Sequence, residues 1–322
     1  MATEPLPPLP THVVTGFLGA GKTTLVNHWL ANPRGERLGV IVNEFGDLGL
    51  DGDLIVAADE EVIELANGCV CCTVRSDLVT ALHGLLDRRR RRLFALPLDR
   101  LVIETSGLAS PGPILQTIAL EERLANELVP GGVVTVVHAA HVEAQLAEHG
   151  EAREQLGYAD AVLVSHVDEV TPAALDRVLE RLAREPGLAE VVIGRRGQTD
   201  VDLRALEPED LGWERAERAA AVEHSEGASA VALEADVPLD LHRLKMWLQL
   251  LERDPTSTIW RVKGLLACVQ VPEPVVIQGV YQTLEIGPGQ GSPPERSRLV
   301  ILGRDLEKSA LERGWEHCLS RS

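Results

Sequence analysis

The glycine-rich stretch near the amino terminus constrains the fold more than any other part of the chain. Residues 16–23 read GFLGAGKT and fit the pattern G-x-x-x-x-G-K-[ST]. The apolar run HVVTGF leads into this stretch and the helical pattern TTLVNHWLAN follows it. A phosphate-binding P-loop requires this strand–loop–helix context, so the sequence predicts a nucleotide-binding domain.

The residue types in this loop suit phosphate chemistry. Backbone N–H groups along the loop can approach phosphate oxygens, and the following helix adds a favourable dipole. Lys22 can reach the outer phosphates, and the Thr23 hydroxyl can ligate Mg²⁺. We predict a catalytic role for Lys22. The loop residues predicted to bind nucleotide through their backbone are Gly16, Gly19, Ala20 and Gly21.

A predicted strand that ends in an acidic residue is the second candidate part of the nucleotide site. The apolar run DRLVIET ends at Glu104 and Thr105, and Gly107 follows shortly after. A carboxylate here can hold the Mg²⁺ shell or orient the attacking water, and the Gly107 N–H can approach the terminal phosphate. We therefore predict that Glu104 is catalytic, with a solvated strand end as the alternative.

Continuous Val, Ile and Leu runs alternate with amphipathic helical patterns from residue 10 to about residue 200. Strands are predicted at HVVTGF, LGVIVN, EVIEL, DRLVIET, GVVTVVHA, DAVLVSHV and AEVVIG. This alternation predicts an α/β P-loop NTPase fold, a mostly parallel sheet covered by helices on both faces. We assign residues 1–10 to a flexible leader, 11–200 to the P-loop domain and 201–222 to a linker.

Residues 223–322 are predicted to form a smaller α+β C-terminal domain. The strand ASAVALEA and the helix DLHRLKMWLQLLER precede three predicted strands, STIWRVKGL, LLACVQVP and PVVIQGVYQTLEI, and then come the strand RLVILG and a final helix. An antiparallel sheet with helices on one face suits this order. Cys268 and Cys318 are isolated in the sequence, and we interpret both as small core residues.

The charge balance restricts the partners of the chain. Acidic residues outnumber basic ones by 49 to 31, and the net charge of −18 disfavours nucleic acid and anionic membranes. The amino terminus lacks the features of a secretory signal, and no run approaches the roughly 18 apolar residues that span a bilayer. We expect a cytoplasmic protein with small-molecule or protein partners.

Three of the five cysteines, Cys69, Cys71 and Cys72, crowd into the loop NGCVCCT. We place this loop in a turn between a predicted strand and a predicted helix, and interpret the thiolates as metal ligands in a reducing compartment. Such ligands select Zn²⁺ or Cu⁺ over Mg²⁺, and cobalt and iron can also bind them, so ligand chemistry alone does not name the metal. A structural zinc clip and reactive or buried cysteines are the alternatives.

Five stretches together resemble the CobW-type family of P-loop GTPases, in its metallochaperone branch. They are GFLGAGKTTLVN, VNEFGDLGLDGDL, NGCVCCTVRSDL, ETSGLASPGPI and WRVKGLLACVQVPEPVVIQGVYQ. The resemblance implies GTP and Mg²⁺ on the P-loop domain and Zn²⁺, Co²⁺ or a related metal at the Cys-x-Cys-Cys loop. It also implies that Thr24 helps to hold nucleotide, that Glu104 serves the Mg²⁺ and the water, and that Asp47 lies near the transition metal.

The sequence departs from the family pattern at two places. The guanine-reading motif Asn-Lys-x-Asp appears as Ser-His-Val-Asp at residues 165–168. Asp168 can still accept hydrogen bonds from guanine and His166 can stack on the base, so GTP is favoured while ATP stays open. His138 stands where family members tend to show Asp, and His141 follows. We interpret both as core or surface histidines, with a metal-binding pair as the alternative.

The expected function is that of a GTP-hydrolysing metal chaperone. It would deliver zinc or cobalt to a client metalloprotein or a cofactor-synthesis enzyme, with a metal affinity that depends on the bound nucleotide. The alternatives are a P-loop small-molecule kinase with incidental cysteines and a non-catalytic metal-binding protein switched by nucleotide. The sequence leaves the oligomeric state open.

Overall fold

The structure, a computed structural model, describes residues 6–43, 62–64, 72–90, 97–185, 189–195, 198–199, 206, 228–254, 257–280 and 283–320. The chain divides into two compact units. The first comprises residues 1–155, 160–178 and 191–207, and the second comprises residues 156–159, 179–190 and 208–322. In the described part of the chain, we find no helix with the length and apolar character needed to cross a bilayer.

A seven-stranded sheet organises the amino-terminal part, in the order β3-β2-β4-β1-β5-β6-β7. The strands are β1 Leu9–Thr15, β2 Leu38–Asn43, β3 Val62–Glu64, β4 Arg100–Thr105, β5 Leu128–His138, β6 Ala161–Ser165 and β7 Glu190–Ile193. The pairs from β3 through to β6 are parallel. Each strand falls on an apolar run that predicts it, because strands of a covered parallel sheet are buried on both faces. The first strand begins at Leu9, inside the segment that we assigned to the leader.

Helices connect these strands. They are α1 Lys22–Ala31, α2 Cys72–Arg90, α3 Gly112–Leu120, α4 Glu122–Glu127, α5 Val142–Glu148, α6 Gly150–Tyr158 and α7 Pro172–Arg184. Leu25, Val26 and Trp29 of α1 belong to one buried cluster with Val14 of β1 and Val134 of β5. The helix that follows the glycine-rich loop is therefore fixed on the centre of the sheet, and the predicted P-loop NTPase fold is confirmed.

Two ion pairs join the starts of β2 and β4. The Arg37 guanidinium donates to both carboxylate oxygens of Asp99 at 2.8 and 2.9 Å, and the Arg37 backbone N–H donates to Asp99 Oδ2 at 2.9 Å. These hydrogen bonds lower the pKa of Asp99 to about 2. Next to them, Arg100 donates to Glu36 at 2.9 and 3.1 Å. Both strands are thus anchored where they begin, at the end of the sheet away from the glycine-rich loop.

The C-terminal part contains a five-stranded antiparallel sheet in the order β11-β10-β9-β12-β8. Its elements are β8 Ala228–Ala235, α8 Leu241–Glu252, β9 Thr258–Leu266, β10 Val275–Val280, β11 Thr283–Pro288, β12 Ser297–Arg304 and α9 Lys308–Cys318. Leu244 and Leu248 of α8 and Trp315 of α9 share a buried cluster with Leu233 and Ile277 of the sheet. The predicted α+β C-terminal domain is confirmed.

Two strand predictions in this part are wrong. The run LLACVQVP is not a strand of its own: β9 ends at Leu266, and a turn follows in which Gln270 has φ 63°. The run PVVIQGVYQTLEI is not one strand but a hairpin, in which Val275 pairs with Pro288 and Val280 with Thr283. The first run is apolar almost throughout and carries no periodic signal that marks its end. In the second run the two residues between Val280 and Thr283 are Tyr and Gln, which are not typical turn residues.

The two isolated cysteines are core residues, as predicted. Cys268 is 6% exposed and Cys318 is 1% exposed. Burial raises the pKa of both thiols to about 11. They are therefore neutral thiols near pH 7 and poor metal ligands.

Candidate functional site

The glycine-rich loop connects β1 to α1 through backbone conformations that require glycine. Gly16 has φ 141°, and a Cβ there would overlap the carbonyl oxygen of Val136 on the neighbouring strand β5. Gly19 and Gly21 have φ 72° and 95°, in the region that side chains disfavour. The loop can therefore lie close to the sheet. Within it the Ala20 N–H donates to the Phe17 carbonyl at 3.2 Å, which closes the turn.

The start of α1 forms an anion-binding terminus. Gly21 is the N-cap residue, and among the described residues neither a side-chain cap nor an acidic residue in the first turn satisfies the helix start. The N–H groups of a first helical turn have no partner within the helix and carry a positive partial charge. The Lys22 ammonium lies over the loop and donates to the carbonyls of Gly16 at 2.9 Å and Phe17 at 3.3 Å. This arrangement suits a phosphate group.

Thr23 and Glu104 meet beside the loop. The Thr23 hydroxyl donates to Glu104 Oε1 at 2.7 Å, and Glu104 is only 4% exposed. Thr23 lies in the first turn of α1, which follows β1, and the parallel register that places Val14 of β1 opposite Glu104 of β4 brings the two side chains together. A hydroxyl and a carboxylate are oxygen ligands of the kind that Mg²⁺ prefers, so these side chains fit the metal that the family pattern implies.

The segment after β4 lies directly against the glycine-rich loop. A Cβ built on Gly107 would lie 2.7 Å from both the backbone nitrogen and the Cα of Leu18. The buried amide of Gln155 holds this segment, because its Nε2 donates to the carbonyls of Gly107 at 3.2 Å and Ala109 at 3.1 Å. Gln155 was not among the predicted site residues, because no motif in α6 signals it.

The residues of the base-reading motif lie at the end of the glycine-rich loop that leads into α1, whereas Gly107 lies against Leu18. The Ser165 hydroxyl is 2.7 Å from the Ala20 carbonyl and 3.0 Å from the Val137 carbonyl. His166 has φ 52°, and its Cε1 lies 3.4 Å from the position of a Cβ on Gly21. Asp168 is exposed in the short 3₁₀ turn Val167–Glu169. The structure thus brings the motif and the glycine-rich loop together.

His138 ends β5 next to this motif. The residue is 6% exposed and lies opposite Ser165 in the parallel register. Its ring stacks on that of His166 with a centroid distance of 4.0 Å and an interplanar angle of 6°. Burial lowers the pKa of His138, the neighbouring His166 and His141 lower it further, and Glu169 opposes them. His138 is therefore buried rather than a surface histidine, and its burial leaves the metal-binding alternative open.

The predicted metal ligands of the cysteine loop are only partly within the described residues. Cys69, Cys71 and Asp47 lie outside them. The backbone of Cys72 forms the first residue of α2, so its placement in a turn before the helix was wrong. The helical pattern that we identified begins later, because the Cys-Thr-Val residues at the start of α2 have low helix propensity. Thr24 is exposed in the first turn of α1.

The carboxyl ends of four parallel strands lie in one row. Val14 of β1 is opposite Glu104 of β4, Glu104 is opposite Val42 of β2, and Val42 is opposite Glu64 of β3. Neighbouring strands are about 4.8 Å apart, so the backbone of Glu64 lies about 10 Å from that of Glu104. The chain enters the cysteine segment from this row.

Comparisons with known proteins agree with this arrangement. The nucleotide-binding domain of the CobW/HypB/UreG family matches residues 10–193, and the C-terminal domain of the cobalamin synthesis protein cobW matches residues 228–319. The zinc chaperone YjiA of Escherichia coli is 31% identical over 94% of this chain and 96% of its own length. The zinc chaperone CobW of Pseudomonas aeruginosa is 32% identical over 94% of this chain and 89% of its own length.

Solved structures show the same architecture. The crystal structure of Zn(II)-bound YjiA GTPase from Escherichia coli has a TM-score of 0.71 and 26% sequence identity, and the match covers 98% of this chain and 100% of that one. The two domain matches together span the β1–β7 sheet with its glycine-rich loop and the antiparallel C-terminal sheet. The chain therefore belongs to the CobW/HypB/UreG family of nucleotide-binding proteins and carries the CobW-type C-terminal domain.

Proposed function

We propose that the chain is a GTPase that binds a transition metal, zinc ahead of cobalt, and delivers it to a client in a nucleotide-dependent way. Cys69, Cys71 and Cys72 are the proposed ligands, with Asp47 nearby. The client is a metalloprotein or a cofactor-synthesis enzyme in the cytoplasm. The names of the relatives, two zinc chaperones and a GTPase, support this proposal.

The observation that carries the proposal is the row of strand ends beside the glycine-rich loop. Glu64 precedes Cys69 by five residues, and five residues span at most about 17 Å. Because the backbone of Glu64 lies about 10 Å from that of Glu104, the cysteines are within reach of the site that holds the terminal phosphate. A rearrangement driven by that phosphate can therefore act on the metal ligands directly.

The nucleotide roles follow from the geometry of the loop. The N–H groups of the loop and of the α1 terminus hold the phosphates, and Lys22 neutralises their charge. Thr23 and Glu104 hold Mg²⁺, which neutralises charge on the phosphate oxygens when it is bound. Glu104 also orients the attacking water. At the other end, Asp168 accepts hydrogen bonds from guanine and His166 stacks on the base.

Metal and nucleotide affinities are coupled in this proposal. GTP with Mg²⁺ orders the segment after β2 and the cysteine loop together, and hydrolysis loosens the metal site. By linkage, any factor by which GTP changes the zinc affinity is also the factor by which zinc changes the GTP affinity.

The test is a competition titration of zinc with a chromophoric chelator, in the presence of a non-hydrolysable GTP analogue, GDP or no nucleotide. We expect the tightest zinc binding with the GTP analogue. The variant Cys71→Ser/Cys72→Ser should lose tight zinc binding and keep GTP binding. The matched control, Cys268→Ala, should keep both because Cys268 is a buried core thiol. Equal zinc affinities in the three nucleotide states would refute the coupling.

Hydrolysis without an acceptor separates a GTPase from a small-molecule kinase. Phosphate release from GTP should proceed with the purified protein and Mg²⁺ alone, because water is the acceptor of a GTPase. Turnover that appears only after a small-molecule acceptor is added would favour the kinase. Binding with no turnover in a single-turnover assay would favour a non-catalytic switch.

A further inference from the structure

The two departures from the family pattern, His138 and His166, are in direct contact. Their rings stack at 4.0 Å although 28 residues separate them in the sequence. Glu169, at the end of the 3₁₀ turn that follows His166, brings a carboxylate to the same place, and its Oε2 is 3.6 Å from His138 Nε2. One ligand atom from each of the three residues lies within 4.8 Å of the others.

We infer that His138, His166 and Glu169 form a second transition-metal site, next to the base-reading motif and separate from the cysteine loop. Two imidazoles and one carboxylate are a ligand set that zinc uses when it keeps a fourth position open. Imidazole nitrogens suit Zn²⁺, Cu²⁺ and Ni²⁺ rather than Mg²⁺. This inference uses neither the cysteines nor GTP hydrolysis. It shares His166 with the proposed function, in which a face of the same ring stacks on the base, whereas ligation uses the lone pair in the ring plane.

The hydrogen bonds of His166 prepare its ring for ligation. The Ser165 hydroxyl has one proton and lies within hydrogen-bond distance of two carbonyls, those of Ala20 and Val137. We assign the hydroxyl proton to one of these carbonyls, so that Ser165 accepts from His166 Nδ1–H at 2.9 Å. In this tautomer Nε2 of His166 carries the lone pair, and metal-ligating histidines are commonly held in this way by their other ring nitrogen.

The stacked rings must turn before both can bind one ion, because an imidazole nitrogen binds metal in the plane of its ring and the two rings are parallel to within 6°. The carboxylate needs the smaller movement. In a tetrahedral zinc site with bonds of about 2.1 Å, ligand atoms lie about 3.4 Å apart. The separation of 3.6 Å between His138 Nε2 and Glu169 Oε2 already approaches this value. The Glu169 side chain is 52% exposed and can move toward the ion. His138 Nδ1 accepts from the Ala140 N–H at 3.2 Å, so ligation through Nε2, which moves the ring proton to Nδ1, breaks this hydrogen bond and requires the ring to turn away from that N–H.

The site uses residues that the family pattern does not supply. That pattern has a lysine at position 166 and tends to an aspartate at position 138, which together offer no imidazole. In this chain both positions are histidines, in adjacent strand ends whose register places His138 opposite Ser165. The site is thus a property of this chain rather than of the fold.

The test titrates Co²⁺ into the variant Cys69→Ser/Cys71→Ser/Cys72→Ser and follows its absorption. Cobalt held by nitrogen and oxygen gives visible d–d bands, whereas thiolate ligation adds a charge-transfer band in the near ultraviolet. We expect the cysteine variant to bind one Co²⁺ with d–d bands alone. Adding Glu169→Gln or His166→Asn should remove these bands, and adding His242→Ala, an exposed histidine of α8, should leave them unchanged.

Each outcome decides the inference. Glu169 is exposed and Asn tolerates a positive φ, so both variants should retain the fold, which thermal unfolding verifies. If the cysteine variant binds no Co²⁺, or binds it equally with Glu169→Gln and His166→Asn, the site does not exist. If the unmodified protein binds Co²⁺ without a charge-transfer band, the proposed cysteine site is contradicted, and the inference about the histidines stands.

Discussion

Replacement of Gly107 by alanine should impair nucleotide hydrolysis without unfolding the protein. The added Cβ would lie 2.7 Å from the backbone nitrogen and Cα of Leu18 and 2.6 Å from its Cδ2. Ordinary contacts of a Cβ begin at about 3.4 Å, so the glycine-rich loop or the segment after β4 must move by about 0.7 to 1 Å. The side-chain atom can turn away, but the two backbone atoms cannot.

The magnitude follows from this displacement. A misplacement of about 1 Å at a reacting centre can reduce turnover about 100-fold, which corresponds to about 2.7 kcal/mol of transition-state stabilisation. The φ angle of Gly107 lies outside the region reserved for glycine, so alanine adds no backbone strain there. We therefore expect kcat/KM for GTP to fall about 100-fold, with a smaller change in thermal stability.

The assay is phosphate release at several GTP concentrations, together with thermal unfolding. Gly84→Ala is the matched control, because Gly84 lies in α2 and, among the residues that the structure describes, no atom outside its own stretch of helix comes within 4 Å of a Cβ built there. The control should retain kcat/KM and gain up to about 1 kcal/mol of helix stability. Unchanged kcat/KM in Gly107→Ala would show that the contact with Leu18 does not position the loop.

Three further variants test other parts of the site and the fold. Glu104→Gln should reduce single-turnover GTP hydrolysis by about 100-fold or more while calorimetry shows retained GTP binding, because the amide keeps the shape but loses the charge that orients water and Mg²⁺. Asp168→Asn should weaken GTP binding by about 10- to 100-fold and leave ATP binding unchanged, because the carboxylate pairs only with guanine. Asp99→Asn should lower the free energy of unfolding at pH 7 by about 1 kcal/mol, a value reduced for solvent screening because the Asp99 side chain is 38% exposed. Because folding depresses the pKa of Asp99 from 3.8 to about 2, its contribution is complete above pH 4 and disappears as the pH falls toward 2.

Each of these three predictions has its own result that would contradict it. Full hydrolysis by Glu104→Gln would remove this residue from the reaction. Equal losses of GTP and ATP affinity in Asp168→Asn would indicate a general defect of the site rather than a loss of base reading. A difference between Asp99→Asn and the unmodified protein that stays constant from pH 7 to pH 2 would contradict the linkage, and chemical denaturation at several pH values measures it.

The P-loop domain could be predicted from the sequence because each of its elements carries a local signal. Buried parallel strands appear as continuous Val and Ile runs, as in LGVIVN, which is β2 residue for residue. The loop motif adds a lysine and a hydroxyl at fixed spacing. In the C-terminal domain PVVIQGVYQTLEI misled, because it contains a hairpin whose two connecting residues, Tyr281 and Gln282, are not typical turn residues.

The contacts of the site were harder to predict, since they depend on register. The stacking of His138 on His166 requires that β5 and β6 be neighbours and that His138 lie opposite Ser165. A single sequence does not specify that pairing. The carboxylate that completes the group, Glu169, likewise comes from a different segment than the His138–His141 pair that the sequence brought to attention. The available signal in the sequence was that His138 and Ser165 each end a predicted parallel strand, because the ends of neighbouring parallel strands lie side by side.

The Ser165 hydroxyl has a consequence for attempts to change nucleotide preference. The hydroxyl lies within hydrogen-bond distance of the Ala20 carbonyl in the glycine-rich loop and of the Val137 carbonyl in β5. Ser165 is also the first residue of the motif that contains Asp168. If Asp168 reads the base and the loop binds the phosphates as proposed, substitutions at position 165 should disturb base selectivity and phosphate binding together. Protein engineers who want an adenine-selective form should leave the serine intact and diversify the exposed carboxylate three residues later.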